Sequence, residues 1–183
     1  MSVVAAASAA PRVAIVGAGA AGIVAAVELR RAGMQVVVFE QRAAGVGGVW
    51  KHEQGGAMYR GLRTNLPKEV MAFIGHPYDA SLPSFVGHAD VAQYLERYAQ
   101  AHSVDAAIRY SHEVVAARAV ERSADAAAGA EGARNALQRR LGQQFLPWLV
   151  TVADTATHTE RVEQFDALVV CNGHFSTPYS PQY

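Results

Sequence analysis

Hydrophobic residues near the start of the chain form two short uninterrupted runs, separated by a segment with helical spacing. Residues Arg12–Val16 and Gln35–Phe39 are rich in valine and isoleucine, which is typical of strands buried on both faces of a sheet. Between them, Ala20–Ala32 repeats apolar residues at a helical period, and Gly33 predicts the end of that helix. A strand, a helix and a second strand in this order predict a βαβ unit with parallel strands.

The rest of the chain predicts shorter strands and one further long helix. Residues Ala89–His102 return to helical spacing, whereas the glycine-rich stretch 42–66 has no clean period and predicts an ordered loop. Further strands are predicted at Ile108–Tyr110, His112–Val120, Trp148–Val152, Arg161–Phe165 and Asp166–Asn172. The expected fold is therefore α/β, with a Rossmann-like parallel sheet and a small antiparallel β-meander.

Two segments have compositions that do not suit a packed core. Residues 1–11 are rich in alanine and serine and lack the early basic residues of a secretory signal, so they predict a disordered tail. Residues 122–145 are dominated by alanine, glycine, arginine and glutamine, and they predict a flexible insertion within a hairpin. The remainder, residues 12–183, is expected to form one domain.

Charge and cysteine content narrow the classes of function. The 16 lysines and arginines balance 16 aspartates and glutamates, which argues against a nucleic-acid-binding protein. Cys171 is the single cysteine, so internal disulfides do not frame the fold. No apolar run is long enough to span a membrane, and the histidines lack the spacing of metal ligands. We therefore expect an intracellular, cytoplasmic chain that handles a small molecule; association with the endoplasmic reticulum membrane stays open.

The first strand leads into a glycine pattern that is typical of dinucleotide-binding proteins. Gly17, Gly19 and Gly22 fit G-x-G-x-x-G between a predicted strand and a predicted helix, which is the context that the pattern requires. The three glycines permit a tight turn, close approach of a pyrophosphate and close packing of the helix. Together with Ala20 and Ala21, they are predicted to present the backbone N–H groups of a helix N-terminus to phosphates.

A carboxylate and a second glycine turn follow the second strand. Glu40 is placed to accept hydrogen bonds from both hydroxyls of an adenosine ribose and to repel a 2′-phosphate, so the site is predicted to hold FAD or NAD rather than NADP. Gly47 and Gly48 can bring further amides to the pyrophosphate, with Trp50 as a flat apolar wall. The alternative is a plain surface loop with Trp50 in the core.

These features resemble the start of the flavin-containing monooxygenase family. The most specific similarity is Tyr59–Phe73, which is similar to the family stretch Tyr-x-x-Leu-x-Thr-Asn-x-Pro-Lys/Arg-Glu-x-Met-x-Phe. Residues Phe85–Ala99 and Phe165–His174 resemble a helix and a strand of the same family. The sequence at Arg63–Pro67 is most similar to the plant-type branch, which oxygenates thioether sulfur. The resemblance extends over residues 12–181 outside the insertion.

The resemblance implies a reaction, two cofactors and a catalytic position. It implies an FAD- and NADPH-dependent monooxygenase, similar to N,N-dimethylaniline monooxygenase, that uses O₂ to oxygenate a thioether sulfur or an amine nitrogen through a flavin C4a-hydroperoxide. It places Asn65, next to Thr64 in the cofactor site, beside the flavin and the nicotinamide ribose. From the residues alone, Asn65 is more simply a turn residue before Pro67. Lys68 and Glu69 predict a solvated helix start.

The same resemblance implies the N-terminal part of a longer, two-dinucleotide flavoprotein. No second glycine fingerprint, which the family uses for NADPH, follows Gly22 in the sequence, so the FAD-binding domain is expected to be partial. One alternative is a catalytically inactive fragment that binds FAD or a partner. Another is a Baeyer–Villiger-type monooxygenase, which the residues Thr64–Glu69 disfavour. A disulfide-reductase-like flavoprotein would need a pair of cysteines soon after Glu40, whereas Cys171 is the single cysteine.

Overall fold

The computed structural model of the protein describes most of the chain, namely residues 10–52, 56–120, 147–174 and 180–182. The strands are β1 (Arg12–Val16), β2 (Gln35–Phe39), β3 (Ile108–Arg109), β4 (His112–Ala119), β5 (Trp148–Asp154), β6 (Glu160–Phe165) and β7 (Ala167–Val170). The helices are α1 (Ala20–Arg31), α2 (Lys68–Met71) and α3 (His88–Ala101), with single 3-10 turns at Gly48–Trp50 and Asp105–Ala107. None of these described helices combines the length and the apolar character needed to cross a bilayer.

Two of the sequence predictions concern parts of the chain outside the described residues. The predicted disordered tail, residues 1–11, falls there except for its last two residues, and the predicted insertion, residues 122–145, falls there entirely. Both stay predictions.

The strands form two sheets, which confirms the predicted α/β fold. The parallel sheet has the order β3-β2-β1-β7, and the antiparallel meander has the order β4-β5-β6. In the parallel sheet, Val16 at the end of β1 lies beside Phe39 of β2 and Val170 of β7. The carboxyl ends of the three strands therefore share one edge, which is where open α/β sheets bind their ligands.

The two faces of the parallel sheet are covered by different elements. On one face, Ile15 and Val38 belong to a buried cluster that includes Ile23 of α1 and the residues Tyr94 and Tyr98 of α3. Side chains alternate between faces along a strand, so the neighbouring positions of β1 and β2 point the other way. The helices therefore bury one face and leave the second to the meander.

The antiparallel meander covers that second face. Ala14 and Phe39 of the parallel sheet form a cluster with Val150, Val152 and Phe165 of the meander. The rings of Phe39 and Phe165 meet edge to face, with centroids 5.8 Å apart, an arrangement that aromatic pairs favour.

The hairpin of β4 and β5 is paired along its length to the point where the described chain is interrupted. Ala119 lies opposite Trp148, and the N–H of Val120 donates to the carbonyl of Pro147 over 2.8 Å. The two residues that flank the stretch 121–146 are therefore hydrogen-bonded neighbours.

β7 is shorter than predicted and lies at the edge of the parallel sheet. The predicted strand began at Asp166, but this residue instead exchanges hydrogen bonds with Arg12: its N–H donates to the Arg12 carbonyl and its carboxylate accepts from the Arg12 N–H, both over 2.8 Å. Within the described residues β7 pairs only with β1, and the side chain of Val170 is 65% exposed. In the described part of the chain, β7 is therefore an edge strand of the parallel sheet.

One carboxylate joins the two sheets. Glu163 of β6 forms ion pairs with Arg12 of β1 (2.6 Å), with Arg109 of β3 (2.5 Å) and with Arg161 of its own strand (3.0 Å). Burial by itself would raise the pKa of Glu163, but the hydrogen bonds and charges of Arg12 and Arg109 outweigh it, and the pKa lies below its ordinary value.

The replacement Glu163→Gln is expected to lower the free energy of unfolding by about 2 kcal/mol at neutral pH, because it removes charge-assisted hydrogen bonds and leaves the guanidinium groups uncompensated. A pKa depressed in the folded state means that the stabilisation is present above the unfolded-state pKa and is lost as the pH falls through the folded-state pKa. The difference between the two proteins should therefore shrink below about pH 4. Urea unfolding over a pH series measures it.

The exposed ion pair of Arg31 with Glu28 offers a control for this effect. Breaking it with Arg31→Gln should change stability by less than about 0.5 kcal/mol. Equal stability of the Glu163→Gln protein and the wild type at neutral pH would contradict the proposed link between the sheets.

Candidate cofactor site

The glycine fingerprint forms the turn between β1 and α1. Gly17 has a φ of 95°, and a Cβ at this position would lie 2.6 Å from the carbonyl oxygen of Cys171. A Cβ at Gly22 would lie 1.9 Å from the carbonyl oxygen of Gly17. The fold itself therefore requires glycine at both positions, because the clashing atoms belong to the main chain.

Gly19 begins α1 and leaves backbone donors at the N-terminus of that helix. No side chain caps this end, and the N–H groups of Ala20 and Ala21 have no acceptor within a helix. The aligned peptide dipoles add a positive potential at the same place. This helix end is suited to an anionic ligand such as a pyrophosphate.

The second glycine turn packs directly on the first. The N–H of Gly47 donates to the carbonyl of Ala18 over 3.0 Å, and a Cβ on Gly48 would lie 3.0 Å from the Cα of Gly19. Trp50, at the end of this turn, is half-buried against the helical face of the core and also lines an open cleft of about 500 Å³ beside α3. Trp50 thus packs against the core, and its predicted role as a wall beside a cofactor stays a prediction.

Glu40 lies beside the fingerprint and is 4% exposed. Its carboxylate accepts one hydrogen bond from the N–H of Ala18 (2.9 Å) and one from the N–H of Arg42 (3.0 Å). An ionised carboxylate offers about four acceptor positions. The two backbone bonds therefore fix the side chain at the carboxyl edge of the sheet and leave acceptor capacity for a ligand.

The segment with Thr64 and Asn65 runs antiparallel to the chain that leads into α3. The N–H of Thr64 donates to the carbonyl of Val86 over 2.9 Å. Thr64 is 6% exposed, and its hydroxyl has no hydrogen-bond partner among the described residues, whereas Asn65 is exposed. A buried hydroxyl without a partner costs about 1–3 kcal/mol, so a ligand that pairs with it would recover that energy. In the described part of the chain, no hydrogen bond joins this segment to the glycine turns.

Lys68 is the residue that the sequence placed wrongly. The predicted solvated helix start is instead a buried side chain, 7% exposed, whose ammonium donates to the carbonyls of Asp79, Ala80 and Leu82. The prediction was wrong because the sequence Lys-Glu at the start of a helix is compatible both with a lysine exposed to water and with a lysine buried against a turn. Only Glu69 keeps the expected exposure.

A family model identifies the family of the chain. The model described as flavin-binding monooxygenase-like matches residues 10–183 of the chain. The chain belongs to the flavin-binding monooxygenase-like family.

Relatives and solved structures agree with this membership. FMO GS-OX-like 2, a flavin-containing monooxygenase of Arabidopsis thaliana, is 35% identical over 190 residues, which cover 91% of this chain and 36% of that protein. S-allyl-L-cysteine S-oxygenase from Allium sativum superposes with a TM-score of 0.72 and 30% identity, over 94% of this chain and 38% of that one. OTEMO, solved with FAD and NADP, gives a TM-score of 0.66 at 26% identity, over 96% of this chain and 28% of that one.

Membership of the family confirms the resemblance seen in the sequence, and the family is one of flavin-binding proteins. The chain spans 36% of the length of the Arabidopsis relative. The structure brings the fingerprint, Glu40 and the second glycine turn together at one edge of the sheet. The roles predicted for individual residues stay predictions.

Proposed function

We propose that this chain is the FAD-binding part of an NADPH-dependent monooxygenase that oxygenates a soft nucleophile. The family supports the reaction class. The similarity to S-allyl-L-cysteine S-oxygenase favours a thioether sulfur over an amine nitrogen as the atom that is oxygenated. The binding of NADPH, by the resemblance, belongs to a second nucleotide-binding unit of the family.

The observation that carries the proposal is the glycine at position 19. Its φ of −73° and ψ of −174° suit any residue, and a Cβ there would meet only the Cα of Gly48, at an ordinary contact distance of 3.7 Å. The fold therefore does not need glycine at this position. A pyrophosphate that approaches the backbone closely does need it, because a side chain would occupy the space of the phosphate oxygens.

The remaining residues of the site fit the other parts of FAD. The N–H groups at the start of α1 would bind the pyrophosphate, and the free acceptor positions of Glu40 would bind the hydroxyls of the adenosine ribose. The unpartnered hydroxyl of Thr64 and the exposed amide of Asn65 would hold the flavin end, Asn65 being the proposed catalytic residue because an amide both donates and accepts.

FAD, when bound, supplies the activation of O₂ and the transfer of one oxygen atom to the substrate, the second leaving as water with electrons from NADPH. The residues of this chain would bind and orient the cofactor and would not themselves exchange protons in the reaction. The half-buried Trp50 and the packed glycine turns would keep water from one side of it.

The purified chain is expected to bind one FAD, measured by quenching of its tryptophan fluorescence and by flavin absorbance that stays with the protein on gel filtration. FMN lacks the adenosine ribose and cannot use Glu40, so it should bind at least about tenfold more weakly, a difference of 1.4 kcal/mol. A chain that retains no FAD in either measurement would overturn the proposal.

The second candidate function is a fragment that binds FAD without turning over, which the coverage of 36% of the Arabidopsis relative favours. The FAD-loaded chain, supplied with NADPH and S-allyl-L-cysteine under air, separates the two. NADPH oxidation and sulfoxide formation above the rates with free FAD support monooxygenation by this chain. Rates equal to those with free FAD support the fragment.

A further inference from the structure

We propose that Lys68 is a positioning residue of the candidate site. Its buried ammonium binds the carbonyls of a neighbouring turn and thereby holds the Thr64–Asn65 segment where a flavin would meet it. The identity of the ligand, a flavin, rests on the proposed function. The anchoring of the segment by the Lys68 ammonium does not depend on it.

The ammonium group of Lys68 has no donor left for a substrate or a cofactor. A lysine carries three N–H donors, and three carbonyls accept from this one, those of Asp79 (2.7 Å), Ala80 (3.4 Å) and Leu82 (2.5 Å). No carboxylate forms a salt bridge with it within the described residues. The dipoles of the three carbonyls therefore compensate the buried charge. The 79–82 turn is thus a binding site for this one side chain.

The anchor acts on the candidate site through a short antiparallel pairing. The N–H of Lys68 donates to the carbonyl of Ser84 (2.6 Å), and that of Thr64 donates to the carbonyl of Val86 (2.9 Å). Arg63 lies opposite Gly87, which begins α3. The ladder is thus attached to α3 at one end and is closed by the Lys68 ammonium at the other.

The helix that carries Lys68 is too short to hold itself. α2 has four residues, and isolated helices of this length are not stable in water. The exposed Val70 and Asn65 contribute little burial on their side. The path of the chain from Thr64 to Met71 therefore depends on contacts with the 79–86 stretch, and the buried Lys68 ammonium supplies three hydrogen bonds among these.

Hydrogen exchange of the FAD-free protein tests the anchor directly. In the Lys68→Met protein, the amides of Thr64 and Lys68 are expected to exchange at least about tenfold faster than in the wild type, while those of α1 and β1 are unchanged, because opening is local. Lys68→Arg keeps a charged donor on a stem of similar length and should restore most of the protection.

Arg30→Met is the matched control for this experiment. Arg30 also donates to two backbone carbonyls, those of Ser103 (2.6 Å) and His102 (3.3 Å), but these follow α3 and take no part in the pairing of Thr64 and Lys68 with residues 84–86. Its replacement should leave the exchange of Thr64 and Lys68 unchanged. Wild-type exchange in Lys68→Met, or equal acceleration in α1 and β1, would overturn the positioning role.

The circular dichroism of the bound flavin gives a second measurement, which general destabilisation of the protein does not change. Lys68→Met is expected to retain FAD through the phosphate and ribose contacts, which are intact, yet to change the visible circular dichroism of the bound flavin. An unchanged flavin spectrum would show that the segment does not face the flavin. If the wild type binds no flavin, the proposed function fails, and the exchange data alone decide whether Lys68 anchors the segment.

Discussion

Replacing Gly19 by alanine is expected to abolish FAD binding while the chain stays folded. The backbone at this position suits alanine, and the added methyl group would make only an ordinary contact with Gly48. The same methyl group would stand between a pyrophosphate and the N–H groups at the start of α1. Losing two charge-assisted hydrogen bonds of about 1.5–3 kcal/mol each weakens the affinity by at least about 100-fold. Fluorescence titration with FAD measures the affinity, and urea unfolding of the same samples reports the stability.

Gly61→Ala is the matched control, because a Cβ at that glycine would meet nothing within 4 Å. This variant should keep both the affinity and the stability of the wild type. Wild-type FAD affinity in Gly19→Ala would mean that no phosphate approaches the backbone there, and the cofactor site would have to lie elsewhere.

The opposite result is expected at Gly22, where alanine should unfold the chain or nearly so. The new Cβ would lie 1.9 Å from the carbonyl oxygen of Gly17. Gly17 cannot move away, because its N–H donates to the carbonyl of Phe39 and its Cα lies close to the main chain of Cys171. Overpacking against rigid neighbours costs about 3 kcal/mol or more.

Urea unfolding followed by far-ultraviolet circular dichroism measures the effect at Gly22. Loss of FAD binding in this variant should parallel the loss of folded protein, unlike the loss in Gly19→Ala. A free energy of unfolding within about 0.5 kcal/mol of the wild type would contradict the packing described for the turn. The two glycines of one fingerprint thus separate a requirement of the fold from a requirement of the ligand.

The parts of the fold that could be predicted are those governed by local pattern. The bounds of β1 and β2 agree with the sequence because an unbroken run of β-branched residues suits a strand covered on both faces. α1 ends at Arg31, one residue before the predicted Ala32. The position of the glycine fingerprint and of Glu40 at the edge of the sheet could also be predicted, since the spacing fixes the turn, whereas their binding roles stay predictions.

The parts that could not be predicted depend on contacts between segments that the sequence does not pair. Lys68 is buried only because the chain turns back at residues 79–82 and offers three carbonyls to it. Asp166 leaves β7 because the backbone of Arg12, at the other end of the sequence, binds it. No sequence pattern identifies these partners, since they are backbone carbonyls and N–H groups, which occur along the whole chain.

The hydrogen bond between Val120 and Pro147 has a practical consequence for engineering. The chain enters and leaves the stretch 121–146 at neighbouring points on the β4–β5 hairpin, and the entropy of closing a loop grows only slowly with its length, by about 0.6 kcal/mol for each doubling. The hairpin therefore tolerates cargo of very different size at this junction. A fluorescent protein spliced in there would be attached to the meander, which packs on the sheet that leads to Glu40. Energy transfer to a yellow ligand would then turn occupancy into an optical signal.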